Sequence, residues 1–219
     1  QRYGKASSTA YGIIDNLTIA YNGNQLKYAN DAAADPLYNG VFNFVNGSNS
    51  TGNEYVFDKN GNLQQDYNKK VAKVQYNQLN LPSVLQFING NRVDYLYDAD
   101  GIKRLVTHKI AIANISVPMG QIKDLTNSQI SQTQTTDYCG NVIYENRILS
   151  KIQTEEGYIT LNGNSPTYHY YLKDHQGNNR IVINQTGAIE QINHYYPFGG
   201  VFEVNTSTSG IQPYKYNGK

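Results

Sequence analysis

Three of the four histidines, His169, His175 and His194, share one region of the chain with Asp174. That set is the first candidate for metal binding or proton transfer. A zinc site needs three such ligands to converge, and strand spacing alone does not bring 169, 175 and 194 together, so these read as turn and surface histidines. The single cysteine, Cys139, has no C-x-x-C partner and no histidine within twenty residues. A reactive thiol needs a neighbour that lowers its pKa, so Cys139 reads as an inert turn residue and no intrachain disulfide can form. Asp98-Ala-Asp100-Gly101 resembles the front of a calcium loop without the downstream acidic ligand. G-x-S-x-G, P-loop and H-E-x-x-H patterns are missing. Asp174 is a conceivable general acid or base, but an aspartate that opens a D-x-x-G turn already has a structural task. The expectation is therefore a non-enzymatic chain with no catalytic, cofactor-binding or metal-binding residue and no cofactor.

The elements around these residues repeat one grammar. Asp58-Lys-Asn-Gly61-Asn62, Asp137-Tyr-Cys-Gly140-Asn141 and Asp174-His175-Gln-Gly177-Asn178 are three copies of D-x-x-G-N. Looser copies are Asp98–Gly101, Asn77–Asn80 and Asn184–Gly187. An Asp or Asn opens such a turn by bonding its own backbone two residues on, and Gly supplies the positive φ that closes it. Aromatic and β-branched runs flank the turns: Tyr168, Tyr170, Tyr171 and Leu172 before Asp174, and Ile181-Val-Ile183 after it. Such residues fit a pleated, half-buried surface. The openers at 58, 77 and 98 are 19 and 21 residues apart, and 98 to 137 is 39. A period near twenty with one hairpin per period means a repeat array.

Composition agrees. Twenty Tyr and nineteen Gly stand beside no Trp and one Met, which suits thin repeated sheets, since stacked hairpins can bury a Tyr ring while its hydroxyl finds water or a backbone partner. Charged residues make up 16% and the net charge is +1, so there is no basic footprint for nucleic acid. No stretch approaches the roughly twenty apolar residues of a membrane helix.

Along the chain, Tyr11–Tyr28 reads as two short strands around Asn22-Gly23, a type I′ turn pair. Pro36 stops a short Ala patch. Gly40–Val45 reads as a strand and Asn46–Asn53 as a polar loop. The cleanest array runs from 54 to 109, with strands ending at Phe57, Tyr76 and Tyr97. The apolar run Ile110–Val117 reads as a strand of a degenerate repeat, and Pro118–Thr136 as an inserted polar loop. Beyond it come strands at Ile148–Ile152 and Gly157–Leu161, the 168–200 stretch, Val201–Val204, and a Thr/Ser-rich loop from Asn205 to Gly210. Pro197 interrupts the ladder, so the aromatics of Tyr195-Tyr196-Pro197-Phe198-Gly199 are expected to cap an array end. A sugar-binding platform is the alternative use of those rings.

Tyr97-Asp98 with Gly101 and Leu105 resembles the YD, or RHS, repeat. The run Tyr171-Leu-Lys-Asp174-His175-Gln-Gly177-Asn178-Asn-Arg180, followed by Tyr195-Tyr196-Pro197-Phe198-Gly199, is similar to the RHS repeat-associated core, and Tyr214–Lys219 to the start of its next block. Gln176 stands where Leu is usual and Asn179 where Val or Thr is. The resemblance implies an all-β array of antiparallel hairpins in a curved or spiral sheet. Its expected organisation is repeats over 1–136, with a polar insertion near 118–136, and a core over 137–219 truncated at its C-terminal end. It further implies a wall and closing segment of a shell that encloses or presents a C-terminal variable, toxin-like domain of a secreted or cell-surface bacterial protein. The implied partners are that domain and neighbouring repeats of a longer parent chain, with no nucleic acid and no membrane insertion. Cell-surface adhesion or carbohydrate binding is the second reading, and a self-cleaving aspartyl protease with residues beyond this chain the third. Unpaired end strands invite an edge-to-edge dimer.

Overall fold

Alternation of apolar and polar residues between Asx-Gly turns gives antiparallel strands joined by tight connections, and the computed structural model consists of these. It describes residues 1–7, 9–33, 43–48, 52–206 and 213–216, with backbone alone for 5, 198 and 202–206. Pro36, the start of the strand expected at Gly40–Val45, parts of the loops at 46–53 and 205–210, and Asn217–Lys219 lie outside the described residues. The chain divides into two compact units, one comprising Gln1–Asn16, Ala32–Phe44 and Leu149–Lys219, the other Leu17–Asp31 and Val45–Ile148. Thr136 and Asp137 lie in one strand.

The first unit opens with a hairpin of β1 (Arg2–Lys5) and β2 (Tyr11–Asp15). The second opens with β3 (Leu17–Asn22) and β4 (Gln25–Asp31), so three strands stand where two were expected. Asn22 pairs with Gln25 and Gly23 carries φ +62°. The turn is therefore Gly23-Asn24 in type II′ form, one residue later than the expected I′ pair, because a glycine at the first central position supplies the single positive φ that II′ requires. A meander follows: β5 (Tyr55–Phe57), β6 (Leu63–Asp66), β7 (Val71–Tyr76), β8 (Pro82–Phe87), β9 (Arg92–Tyr97), β10 (Lys103–Ala111), β11 (Ile130–Cys139) and β12 (Val142–Glu145). Each strand pairs antiparallel with the next.

Two expectations in this unit are corrected. Only Ile110 and Ala111 of the run 110–117 belong to a strand. Asn114 then takes a left-handed φ of 69°, and the rest crosses back over the meander. The Val117 N–H donates to the Ile88 carbonyl and the Gly120 N–H to that of Ala72, both at 2.8 Å, and the Val117 side chain is buried. The polar loop ends early as well: Ile130–Thr136 is strand, since Thr135, Gln134 and Thr133 pair with Thr107, His108 and Lys109. Threonine's β-branched side chain suits a strand even where nothing apolar anchors it.

The core of this unit is thin and valine-rich, with Val71, Ala72, Val74, Val93, Val106 and Ile143 buried. Two of its fully buried polar side chains, Glu54 and Gln86, are hydrogen-bonded. The Glu54 carboxylate accepts the Ala29 N–H and the Asn68 amide, while the Gln86 amide donates to the Phe87 and Asn91 carbonyls.

The first unit resumes with β13 (Ile148–Thr154), β14 (Gly157–Asn162), β15 (Ser165–Lys173), β16 (Asn179–Asn184), β17 (Ile189–Tyr195) and β18 (Val201–Thr206). These form a second antiparallel meander in sequence order. β18 extends two residues into the loop expected from Asn205. The whole is an all-β antiparallel hairpin array.

Candidate functional site

The repeated turns are nearly superposable in their bonding. In each, the opener's N–H donates to the carbonyl four residues on and the N–H at the fourth position returns to the opener's carbonyl: 58/62, 77/81, 98/102, 174/178 and 184/188. Each opener's side-chain oxygen also accepts two N–H groups, two and four residues ahead, at 2.8–3.1 Å. Phe87–Asn91 and Tyr196–Gly200 share the backbone frame without an Asp or Asn opener. Gly101 and Gly177 take φ 79° and 83°, and Asn80 takes 62° at the corresponding place.

Asp137 and Gly140 depart from this scheme. Asp137 lies inside β11, paired with Leu105 and Tyr144, and Cys139 faces Val142 across a two-residue turn of Gly140 and Asn141. Gly140 takes φ 67° there, so the third D-x-x-G-N copy is a type II′ hairpin end rather than an Asx turn. The long pairing with β10 carries the ladder through Asp137 and leaves no residue free to open the wider turn. Cys139 is exposed.

Two turns add a cation six residues after the opener. Arg104 reaches Asp98 Oδ2 at 2.7 Å, and Arg180 approaches Asp174 Oδ2 at 3.9 Å. The backbone N–H of Ile102 holds the Asp98 carboxyl below its ordinary value, and the Asn178 amide does so for Asp174. Tyr97 ends the strand that delivers Asp98. Arg180 also lies 3.2 Å from His194 Nδ1 and over the Tyr195 ring. The Tyr195 hydroxyl donates to the Asn179 carbonyl at 2.6 Å, and burial pushes its pKa up to about 12. The Tyr196 hydroxyl donates to the Tyr3 carbonyl. Pro197–Gly199 is a 3₁₀ turn, and any side chain added at Gly199 would meet the Tyr216 ring. Tyr195 and Tyr196 thus spend their hydroxyls on backbone carbonyls within their own unit. His175 is exposed.

His169 is not the surface histidine expected. It is 7% exposed and stacks on Tyr158, with ring centroids 4.2 Å apart. Its Nδ1 lies 2.6 Å from Glu190 Oε2 and its Nε2 2.9 Å from Thr160 Oγ1. A carboxylate, an imidazole and a hydroxyl in line is the arrangement that activates a nucleophile. Here the hydroxyl sits in mid-strand, and the surrounding N–H groups belong to the β14–β15 ladder, so they form no oxyanion site. The three groups satisfy one another's buried polar valence. Among the described residues no group of three or more His, Cys, Asp or Glu is placed to hold a metal ion.

The two faces of the β13–β18 meander differ in kind. Cross-strand partners share a face. Gln153, Tyr158, His169, Tyr171, Val182 and Gln191 follow one another on one side, and Ile152, Ile159 and Tyr168, with Tyr170–Ile183 and Leu172–Ile181–Ile192, on the other. The polar, aromatic side is the buried one: Val182 and Asn193 are 0% and Gln191 1% exposed. The aliphatic side is the open one: Tyr168, Tyr170, Leu172 and Ile189 are 43%, 43%, 48% and 54% exposed. Reading the sequence missed this reversal, although the alternation of Tyr168, Tyr170 and Leu172 against His169 and Tyr171 carries it.

No protein-family model matches the chain, and none of the curated proteins does. Solved structures do match. The crystal structure of TcdB2-TccC3-Cdc42 aligns with 93% of this chain at TM-score 0.54 and 16% identity, and that of TcdB2-TccC3 with 93% at 0.53 and 16%. The crystal structure of TcdB2-TccC3-TEV aligns with 88% at 0.51 and 16%. This chain spans about a tenth of the length of those chains, 11%, 11% and 10% respectively. At such identity the likeness is one of fold, an antiparallel hairpin array.

Proposed function

We propose that this chain is a non-enzymatic wall segment of an RHS-type shell, enclosing or presenting a variable, toxin-like domain of a secreted or cell-surface bacterial protein. The observation that carries the reading is the open aliphatic face of β14–β17. Apolar side chains on a soluble sheet normally turn inward, and a contiguous exposed apolar surface marks a face that something covers. Here the inward side holds Tyr158 stacked on His169 and Gln191 bonded to Asn193, and the Ile, Leu and Tyr side is left open. A wall built this way offers non-directional apolar contact to a chain that lacks a finished core of its own. Each strand is paired with its neighbours, so the wall offers little irregular backbone to a protease. The D-x-x-G turns set the register that keeps the Leu172–Ile181–Ile192 and Tyr170–Ile183 series on that face, since a slip of one residue would turn the whole set over. Likeness of fold to the TcdB2-TccC3 structures supports the hairpin-array part of this reading.

Adhesion through exposed tyrosines is less well supported by the surroundings of Tyr168 and Tyr170. Their cross-strand partners are Ile159 and Ile183, which give apolar contact but no hydrogen bonds to a sugar's rim. The test is the mass of the full parent polypeptide from its native producer, under native and denaturing conditions. Pieces that separate only on denaturation support a shell holding a cleaved passenger. A single uncut chain without a variable domain removes the proposal.

A further inference from the structure

Asn22-Gly23, Asn60-Gly61, Asn89-Gly90 and Asn162-Gly163 are one dipeptide set in two kinds of turn. All four asparagines are exposed, so access of water does not separate them. The bonding of the glycine nitrogen does. In the turns that follow Phe57 and Gln86, the Gly61 N–H donates to the Asp58 carbonyl and the Gly90 N–H to that of Phe87, each at 3.1 Å. The asparagine before each glycine is held as well. The Asn60 N–H donates to Asp58 Oδ1 at 2.8 Å, and Asn89 Oδ1 accepts the Asn91 N–H at 3.0 Å.

The other two copies end hairpins. Asn22 pairs with Gln25 and Asn162 with Ser165, so each asparagine is the last residue of its strand and its glycine opens a two-residue connection. Gly163 takes φ 58°, as Gly23 takes 62°, which is the use of glycine at the first central position of such a turn. The N–H of that position stands outside the ladder, and among the described residues neither Gly23 nor Gly163 donates it to a carbonyl. The Asn22 and Asn162 side chains likewise have no partner among the described residues. A Cβ placed at either glycine would meet nothing within 4 Å, so the neighbouring side-chain amide has room to turn onto the glycine nitrogen.

We propose that Asn22 and Asn162 are sites of spontaneous deamidation, and that the hydrogen-bonded turn frame protects Asn60 and Asn89 from the same reaction. The glycine nitrogen bonds to the asparagine Cγ and gives up its proton, the Cγ–Nδ2 bond breaks, and the departing amide nitrogen leaves with that proton as ammonia. One water then opens the cyclic imide at either carbonyl, to aspartate or isoaspartate. No electrons are exchanged, and water is the only co-reactant. A nitrogen whose N–H is already donated must first leave its turn, which is the difference between the two pairs. Isoaspartate routes the backbone through an extra methylene at a residue that pairs the strand end. Each conversion also adds a negative charge to a chain whose net charge is +1. The shell reading plays no part in this inference.

The experiment incubates the full chain at mildly alkaline pH, folded and in urea, and maps the products by peptide mass spectrometry. Isoaspartate is counted with an isoaspartyl methyltransferase and labelled S-adenosylmethionine, and charge variants are followed by isoelectric focusing. The expected result is conversion of Asn22 and Asn162 at least tenfold faster than of Asn60 and Asn89 in the folded chain, with comparable conversion of all four in urea. Three outcomes overturn the assignment: either hairpin site reacting no faster than Asn60 and Asn89, the folded order of rates persisting in urea, or conversion to aspartate with no isoaspartate, which means direct hydrolysis rather than ring closure.

Discussion

The turn opened by Asn77 tests the physical basis of the array. Its Oδ1 accepts the Leu79 N–H at 2.9 Å and the Leu81 N–H at 3.0 Å, the bonds that aspartate makes at 58, 98 and 174. Asn77→Ala deletes both while keeping the backbone frame. A net hydrogen bond is worth about 0.5–1.5 kcal/mol, and at a half-exposed turn water replaces part of each, so the expected loss is about 1–2 kcal/mol. For a chain of this size about 1 kcal/mol moves the melting temperature by roughly 2–4 °C, giving a fall of roughly 2–8 °C. Asn77→Asp keeps the acceptor and should stay within about 0.5 kcal/mol of the parent. Urea unfolding gives the free energies. Hydrogen exchange at the Leu79 and Leu81 amides localises the effect, with faster exchange in the alanine variant and little change in the aspartate one. Equal stability of the alanine variant and the parent, or a larger loss for aspartate than for alanine, would refute the reasoning.

Three further outcomes follow from the same geometry. Val182→Ala, at a fully buried position on the polar face, should cost about 2 kcal/mol from lost burial plus a small cavity, read in urea, whereas Leu172→Ser on the open face should cost clearly less. Glu190→Leu leaves His169 Nδ1 buried without its carboxylate partner, so a loss of about 1–3 kcal/mol is expected, together with an altered ring signal in NMR. The third concerns acid. Asp58, Asp98 and Asp174 are held below the ordinary carboxyl value by the Asn62 amide, the Ile102 N–H and the Asn178 amide respectively. Their stabilisation is therefore complete above the unfolded value of about 3.9 and is lost as pH falls through the lower folded values. Replacing all three by Asn, which keeps the acceptor and does not titrate, should flatten the decline in stability below pH 4 in acid-unfolding curves. A decline as steep as the parent's would show that other groups govern it.

The Asx turns were legible because their chemistry is local: an acceptor at the opener and a left-handed residue three positions on. The same letters misled at Asp137, where the length of the β10 pairing decides the outcome, and that is not a local property. Ile110–Val117 read as a strand because apolar residues look alike whether they pair or cover. Asn114 and Pro118, which turn that segment across the meander, carried the signal. His169 and Glu190 are 21 residues apart and meet only because β16 lies between their strands. The face on which each residue lands depends on bulges such as that between Val182 and Ile183. The reversed polarity of the two faces was written in the alternation of 168–172. Which face would be buried is decided by the whole sheet, so no single strand could show it.

The central claim is that the open aliphatic face touches a non-native chain. The most direct measurement places a photo-crosslinking amino acid at Tyr170, Leu172 or Ile183 on that face, and at Lys151 or Thr167 on the polar side, in the full parent polypeptide made by its own producer. Crosslinked peptides are then identified by mass spectrometry. The account predicts crosslinks from the first three positions to the polypeptide's own variable domain and few or none from the other two. Equal crosslinking from both faces, or none from Tyr170, Leu172 and Ile183, would contradict it.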